Sequence, residues 1–305
     1  MTVTQSQTES ATGAQQFYAQ LTERNQGFVS ERAQRRLSEA VVLVAGCGST
    51  GGAAVEPLVR IGVQHFLLAD VGRYELNNLN RQNAYLAELG EHKAVVCARR
   101  IDQVNPSATT EIHEQGVTTD NVNDLVSRCD IVIDGVDVTE PSGWRAKFAL
   151  HEAAASQGRP VVSGYDMAGT QYVRFYDYSP GDAPFDGAVH PDDVAGGTIT
   201  WDLLRRVVPM RFVPIEMIDL ARARVRDGDD GLSQVVYASL AFGAISSRIV
   251  LALMEGQAVR RHTVVNVDSA VRPPWANLLV AARKPLAAVL ALRDLAGLRR
   301  AARRG

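Results

Sequence analysis

The order of apolar and amphipathic segments predicts an α/β fold, a Rossmann-like doubly wound and mainly parallel sheet flanked by helices, with additional antiparallel strands in the C-terminal part. Three observations carry this expectation. Short apolar runs alternate with helix-period segments. The first run, Val41 to Ala45, passes directly into a glycine turn, Gly46-Cys47-Gly48-Ser49-Thr50-Gly51-Gly52. The next run ends on an acid, Asp70, where a dinucleotide fold places its ribose acceptor.

Phe17 to Ala40 is mixed and charged and reads as helix and turn. Val41 to Ala45 is a buried strand, and Gly51 to Ile61 a helix in which Pro57 removes a backbone donor and predicts a kink. His65 to Ala69 is the second strand, Glu91 to Val104 a helix closed by Asn105-Pro106, and Thr110 to His113 a third strand. Val117 to Ser127 (helix), Asp130 to Asp134 (strand), Ser142 to Gln157 (helix) and Pro160 to Ser163 (strand) continue the alternation. Thr170 to Tyr178 alternates as a strand. Ser179 to Gly197 is rich in Pro, Gly and Asp and reads as a long functional loop. Leu232 to Met254 is an apolar helix that could serve a core or an interface, and Thr263 to Asp268 a late strand.

The chain has 305 residues, is 46% hydrophobic and 22% charged, and carries a net charge of -2, so composition predicts a packed globular core and argues against a large nucleic-acid footprint. Its three cysteines, Cys47, Cys97 and Cys129, form no CxxC pair, so no zinc site is expected and a reducing, cytoplasmic setting fits. Met1 to Gln16 lacks an apolar signal core and reads as a disordered tail; the end from Leu298 onward is basic. Val235 to Met254 comes nearest to a membrane span but is interrupted by Ser239, Ser246, Ser247 and Arg248, so no membrane partner is expected.

The glycine turn (Gly46, Gly48, Gly51) can bring a phosphate onto backbone donors at a helix N-terminus, or it can be a structural turn. Asp70 reads as a ribose acceptor or as a turn cap. Asn78, Arg81, Gln82 and Lys93 add cationic and amide donors that hydride transfer does not require and a triphosphate does. A triphosphate also calls for Mg²⁺, which takes one or two carboxylates and keeps water. Asp134 and Asp137 stand at the carboxyl end of a strand; Asp137 is the expected ligand, and Asp134 reads equally as a structural acid.

In this order, the glycine turn, Asp70, Asn78-Leu79-Asn80-Arg81-Gln82, Lys93 and Asp134-x-x-Asp137, the chain resembles the ThiF/MoeB/HesA family, bacterial relatives of ubiquitin-activating enzymes. The resemblance covers roughly residues 24–169 and implies one adenylation domain over 17–285, with 179–200 a crossover loop and 286–305 a basic C-terminal helix or tail. It implies ATP- and Mg²⁺-dependent adenylation of a carboxylate, the C-terminus of a small carrier protein or a peptide, with release of pyrophosphate. Asp70 would hold the ribose, Asn78, Arg81 and Lys93 the phosphates, and Asp137 the metal, with Gln82 supporting the loop. It further implies a homodimer in which Arg24 reaches the partner subunit's nucleotide.

The chain departs from this pattern in three respects. Val138 follows Asp137 where the family usually has Asn, the CxxC pairs are absent, and no cysteine falls in the 179–201 segment. The expected chemistry is therefore direct attack on the acyl adenylate without an enzyme thioester, as in relatives that modify ribosomal peptides or that cyclise the threonylcarbamoyl group of tRNA adenosine. The alternatives are an NAD-dependent oxidoreductase, or a non-catalytic relative that binds a peptide or partner. His190 and the acids Asp182, Asp186, Asp192 and Asp193 in the loop are weaker candidates for proton transfer and for binding a basic partner.

Overall fold

The computed structural model describes residues 13–195, 200–227 and 233–302. The strands are β1 Val41–Ala45, β2 His65–Ala69, β3 Thr109–His113, β4 Ile131–Asp134, β5 Val161–Met167, β6 Thr170–Tyr176 and β7 His262–Asn266. They form one sheet in the order β3-β2-β1-β4-β5-β6-β7. The first five pair in parallel, while β6 and β7 add on antiparallel. The chain reverses its winding direction between β1 and β4, where Ala45 lies beside Asp134. In such sheets the carboxyl ends of the strands at that reversal leave a crevice for ligand.

Helices α1 (residues 13–21), α2 Glu31–Glu39, α3 Ser49–Ile61 and α4 Lys93–Val104 lie in the first half. They are followed by α5 Val122–Ser127 and α6 Pro141–Gln157. The C-terminal part adds α7 Pro191–Ala195, α8 Thr200–Val207, α9 Ile215–Asp227, α10 Val236–Met254, α11 Val267–Val271 and α12 Pro274–Ala302. One sheet face is covered by α2, α3, α4 and α10 around Val42, Val44, Leu58, Phe66 and Phe242. The other is covered by α5 and α6, with Leu43, Val132, Trp144 and Leu150 at its centre. The runs of β1, β2 and β4 are buried because both sheet faces are covered there, whereas β3 lies at the sheet edge with Thr109, Thr110 and Ile112 exposed.

Pro57 does not end α3, which runs from Ser49 to Ile61 as one helix. The carbonyl of Ala53 loses its helical donor to Pro57, and α10 approaches there through Gly243, where a Cβ would come within 2.3 Å of that oxygen.

Several boundaries differ from expectation. Residues 13–16 belong to α1, and the rest of the expected tail, 1–12, lies outside the described residues. Within the expected loop, 179–195 is docked on the core: Phe185 is 2% exposed and stacks on His151, and α7 follows, while 196–199 lie outside the described residues. The boundary at 285/286 falls inside α12, which carries Pro285, and the basic side chains from 298 onward lie outside the described residues. Besides α10, half buried in the core, Pro274–Asp294 is also long and apolar enough to cross a membrane, and only 11% of it is buried. Only the first of these stretches stands out in the sequence.

Candidate nucleotide site

At the reversal point a cavity of about 660 Å³ opens over the carboxyl ends of the strands, lined among others by Gly46, Gly48, Asp70, Arg81, Lys93 and Asp137. Its size is that of a small-molecule site. Gly46 has φ +84° and a Cβ there would lie 2.4 Å from the Gly135 carbonyl oxygen. A Cβ on Gly51 would fall 1.9 Å from the Gly46 oxygen. These two glycines let the β1 and β4 turns press together. Gly48 differs: nothing but the Gln82 amide, 3.8 Å away, stands before its missing Cβ. Gly48 is the N-cap of α3, and the first turn of the helix, Ser49 and Thr50, lines the cavity. A helix start presents N–H groups without helical partners, a natural seat for an anion.

Asp70 accepts from the Cys47 N–H at 2.5 Å and from the Gly72 N–H at 2.6 Å. It thus braces both turns, as a cap would, while still lining the cavity. Arg81 donates through Nε to Gln234 Oε1 at 2.6 Å and through a terminal nitrogen to the Asn77 carbonyl at 2.8 Å. Lys93, at the start of α4, lines the cavity, and no ion pair holds its ammonium among the described residues. Gln82 is 9% exposed and lines the cavity, and its Oε1 has no hydrogen-bond partner among the described residues. Asn78 is elsewhere. Its Oδ1 accepts from the Glu75 N–H and its amide donates to Asn77, so it shapes the turn carrying Arg81 without lining the cavity.

Asp134 and Asp137 separate into two roles. Asp137 is exposed, lines the cavity, and accepts from the Thr139 N–H at 2.9 Å. Asp134 is fully buried. It accepts from Lys147 Nζ at 2.5 Å, His151 Nε2 at 3.0 Å, the Ser163 hydroxyl, and the Val136 N–H at 3.2 Å. Burial alone would raise its pKa, but the Lys147 ammonium and the His151 hydrogen bond outweigh it and hold it well below the carboxylate range. His151 is held below its ordinary value by burial, against the pull of Asp134. A neutral ring fits the bonding. Nε2–H donates to Asp134, and Nδ1 accepts from the Tyr178 hydroxyl, which itself accepts from the Phe185 N–H. Asp134 is therefore the structural acid that fixes the turn bearing Asp137.

Sequence reasoning did not single out Asp166, Tyr165 or Gln234, all of which line the cavity. Asp166, near the end of β5, accepts from Ser49 Oγ at 2.8 Å and Ser239 Oγ at 2.9 Å, and burial raises its pKa. A carboxylate late in a strand was the available signal for Asp166. Gln234 offered none, since α10 and its approach are placed by packing alone. Arg24 sits exposed on the turn Glu23–Asn25 and does not line its own chain's cavity. His190 is exposed outside the cavity; Asp186 pairs with Arg174, Asp193 with Arg206, and Asp182 accepts from the Ser179 N–H. All three cysteines are buried. Its hydrogen bond with Cys97 and burial push the Cys47 thiol well up, and burial pushes Cys129 up to about 12.

Comparison with known proteins agrees with this geometry. A sulfur carrier protein adenylyltransferase of Thermus thermophilus is 31% identical over 137 residues, 45% of this chain and 49% of that protein. The ThiS adenylyltransferase of Bacillus subtilis is 28% identical over 154 residues, 50% of this chain and 44% of that protein. The chain thus aligns with about half the length of these relatives. The Escherichia coli tRNA N6-threonylcarbamoyladenosine dehydratase TcdA, in a structure with ATP, shares the fold at a TM-score of 0.53 and 23% identity, over 78% of this chain and 95% of that one. The ThiF family model matches residues 22–199, which hold the glycine turn, Arg81, Lys93 and Asp137, and on that match the chain belongs to the ThiF family.

Proposed function

We propose that this chain is an ATP-dependent adenylyltransferase that activates a carboxylate of a small carrier protein, a peptide or a related acyl group. The observation that carries the proposal is the convergence of Arg81, Lys93 and Asp137 on the cavity of the glycine turn. A dinucleotide for hydride transfer needs the turn and Asp70 but not this triad of charges. The names of the two relatives and the nucleotide in the TcdA structure point the same way.

The residues fit the nucleotide. The open space before Gly48, the start of α3 and the Gln82 Oε1, unpartnered among the described residues, form a cradle with unused hydrogen-bonding capacity. Arg81 and Lys93 would neutralise the phosphates, and Asp70 retains lone pairs for a ribose hydroxyl. Asp137, a single accessible carboxylate, is the donor set Mg²⁺ accepts beside phosphates and water, and the ion would supply charge neutralisation there. The substrate carboxylate attacks the α-phosphorus, the bond to the bridging oxygen breaks, and pyrophosphate departs. No base is required, because a carboxylate is ionised near neutral pH. Arg81 and Lys93 act by stabilising charge on the leaving group. Buried thiols support direct attack on the adenylate by an external nucleophile. Arg24, outside its own cavity, would act in a homodimer.

Calorimetry and thermal shift with ATP·Mg²⁺ and with NAD test the reading. ATP·Mg²⁺ should bind and stabilise, and Lys93→Ala should abolish binding without lowering Tm of the free protein. Stabilisation by NAD alone would return the oxidoreductase alternative.

A further inference from the structure

The cavity lining also includes an apolar set of residues to which the nucleotide reading gives no role. It comprises Trp201, Leu204 and Val208 from the α8 region, Met217 and Ile218 from α9, and Ala291 from α12. Tyr165 and Met167 line the cavity from β5, and Val138 from the loop after β4. The one charged side chain α8 adds to the lining, Arg205, is ion-paired with Asp202. The α8, α9 and α12 walls lie C-terminal to the family match at 22–199. One polar atom is out of keeping with this wall. The Tyr165 hydroxyl is buried and has no hydrogen-bond partner among the described residues.

We propose that this apolar part of the cavity is an acyl chamber that selects a carboxylate carried beside a bulky apolar group, of leucine or phenylalanine size, over a glycine-ended tail. An apolar chamber of this kind gains nothing from water, which finds too few polar partners in it. A glycine terminus would leave it unfilled. A leucine-sized group would bury against Trp201, Leu204 and Met217, and the Tyr165 hydroxyl would donate to the adjoining carboxylate or peptide carbonyl. Burial of one such side chain gives discrimination of roughly 10–200-fold. The proposal rests on the adenylation reading only for the order of the two ligands along the cavity. Chamber occupancy itself is independent of ATP.

Trp201 is a built-in reporter. The chain has three tryptophans, and Trp144 is buried outside the cavity while Trp275 is exposed on α12. In the double variant Trp144→Phe/Trp275→Phe only Trp201 emits. Its emission is titrated without nucleotide, using the peptides Ala-Ala-Ala-Leu and Ala-Ala-Gly-Gly and the acids 4-methylpentanoate and acetate. The leucine peptide and 4-methylpentanoate should shift Trp201 emission with affinities roughly 10–200-fold tighter than their small counterparts. Whichever of the two binds tighter identifies a peptide end or a free acid as the source. Ala291→Leu should weaken both apolar probes, while Met217→Ala should move the preference from leucine toward phenylalanine. Equal binding of glycine- and leucine-ended peptides, or wild-type selectivity in both wall variants, would overturn the proposal. Saturation of Trp201 by 4-methylpentanoate in a protein that fails to bind ATP would leave the chamber standing and remove the adenylation reading.

Discussion

Asp134→Asn offers the sharpest test of the site's construction. The amide is nearly isosteric, so packing is preserved and only charge and one acceptor are lost. Lys147 is 1% exposed, and Asp134 is its only ion-pair partner among the described residues. Its ammonium would be left buried without a counter-charge, a perturbation of about 3–5 kcal/mol. That is a large share of the ~5–15 kcal/mol by which a domain is stable. Urea unfolding followed by circular dichroism should show the midpoint fall with the slope unchanged. The double variant Asp134→Asn/Lys147→Met removes both charges. It should recover most of the loss, because an apolar chain of that length replaces a desolvated ion and the introduced amide oxygen can still accept from Ser163. The single variant should also weaken nucleotide binding, since the Val136 N–H that Asp134 holds fixes the turn carrying Asp137. If the double variant loses as much stability as the two single changes summed, Lys147 and Asp134 are not coupled and the network is misread.

Three further outcomes follow from the same geometry. Stability should fall on acidification in two stages: His151, depressed by burial, binds its proton more readily unfolded, so stability drops from about pH 6.5 downward by up to ~1.4 kcal/mol per pH unit. Asp134, also depressed, adds a second loss below about pH 4, and a His151→Gln variant with an unchanged first stage would contradict the assignment. Asp137→Asn should leave stability within about 0.5 kcal/mol of wild type, as for a surface change, yet raise the Mg²⁺ concentration needed for half-maximal pyrophosphate exchange. Arg24→Ala should depress exchange by roughly 10²–10³-fold with the fold intact if it serves a partner's nucleotide, and mixing it with a Lys93→Ala subunit should restore partial activity; unchanged exchange would remove Arg24 from the site.

β1, β2 and β4 were legible because they are short, mainly apolar runs and the turn after β1 is marked by glycine, whereas β3, Thr109–His113, is mostly polar. Lys93 and Arg81 were legible as unexplained cations beside a phosphate turn. Asn78 was not, because its amide can serve either a ligand or its own turn, and only the bonds to Glu75 and Asn77 decide that. The helices of residues 200–227 were missed, because their apolar positions are mixed with arginines that pair with Asp193, Asp202 and Asp294.

Local chemistry in the chain determined the winding of the sheet, the glycine turn, the strand-end acids and the charges that meet there. These depend on period, turn propensity and residue type, all of which are written within a few neighbouring positions. Tertiary structure alone decided that Asp134 is a buried brace and Asp137 an accessible carboxylate. It also brought Asp166 and Gln234 to the cavity and lined it with residues of α8, α9 and α12. Those outcomes depend on contacts between segments far apart in sequence, where burial and the nearest charge set what a side chain can do.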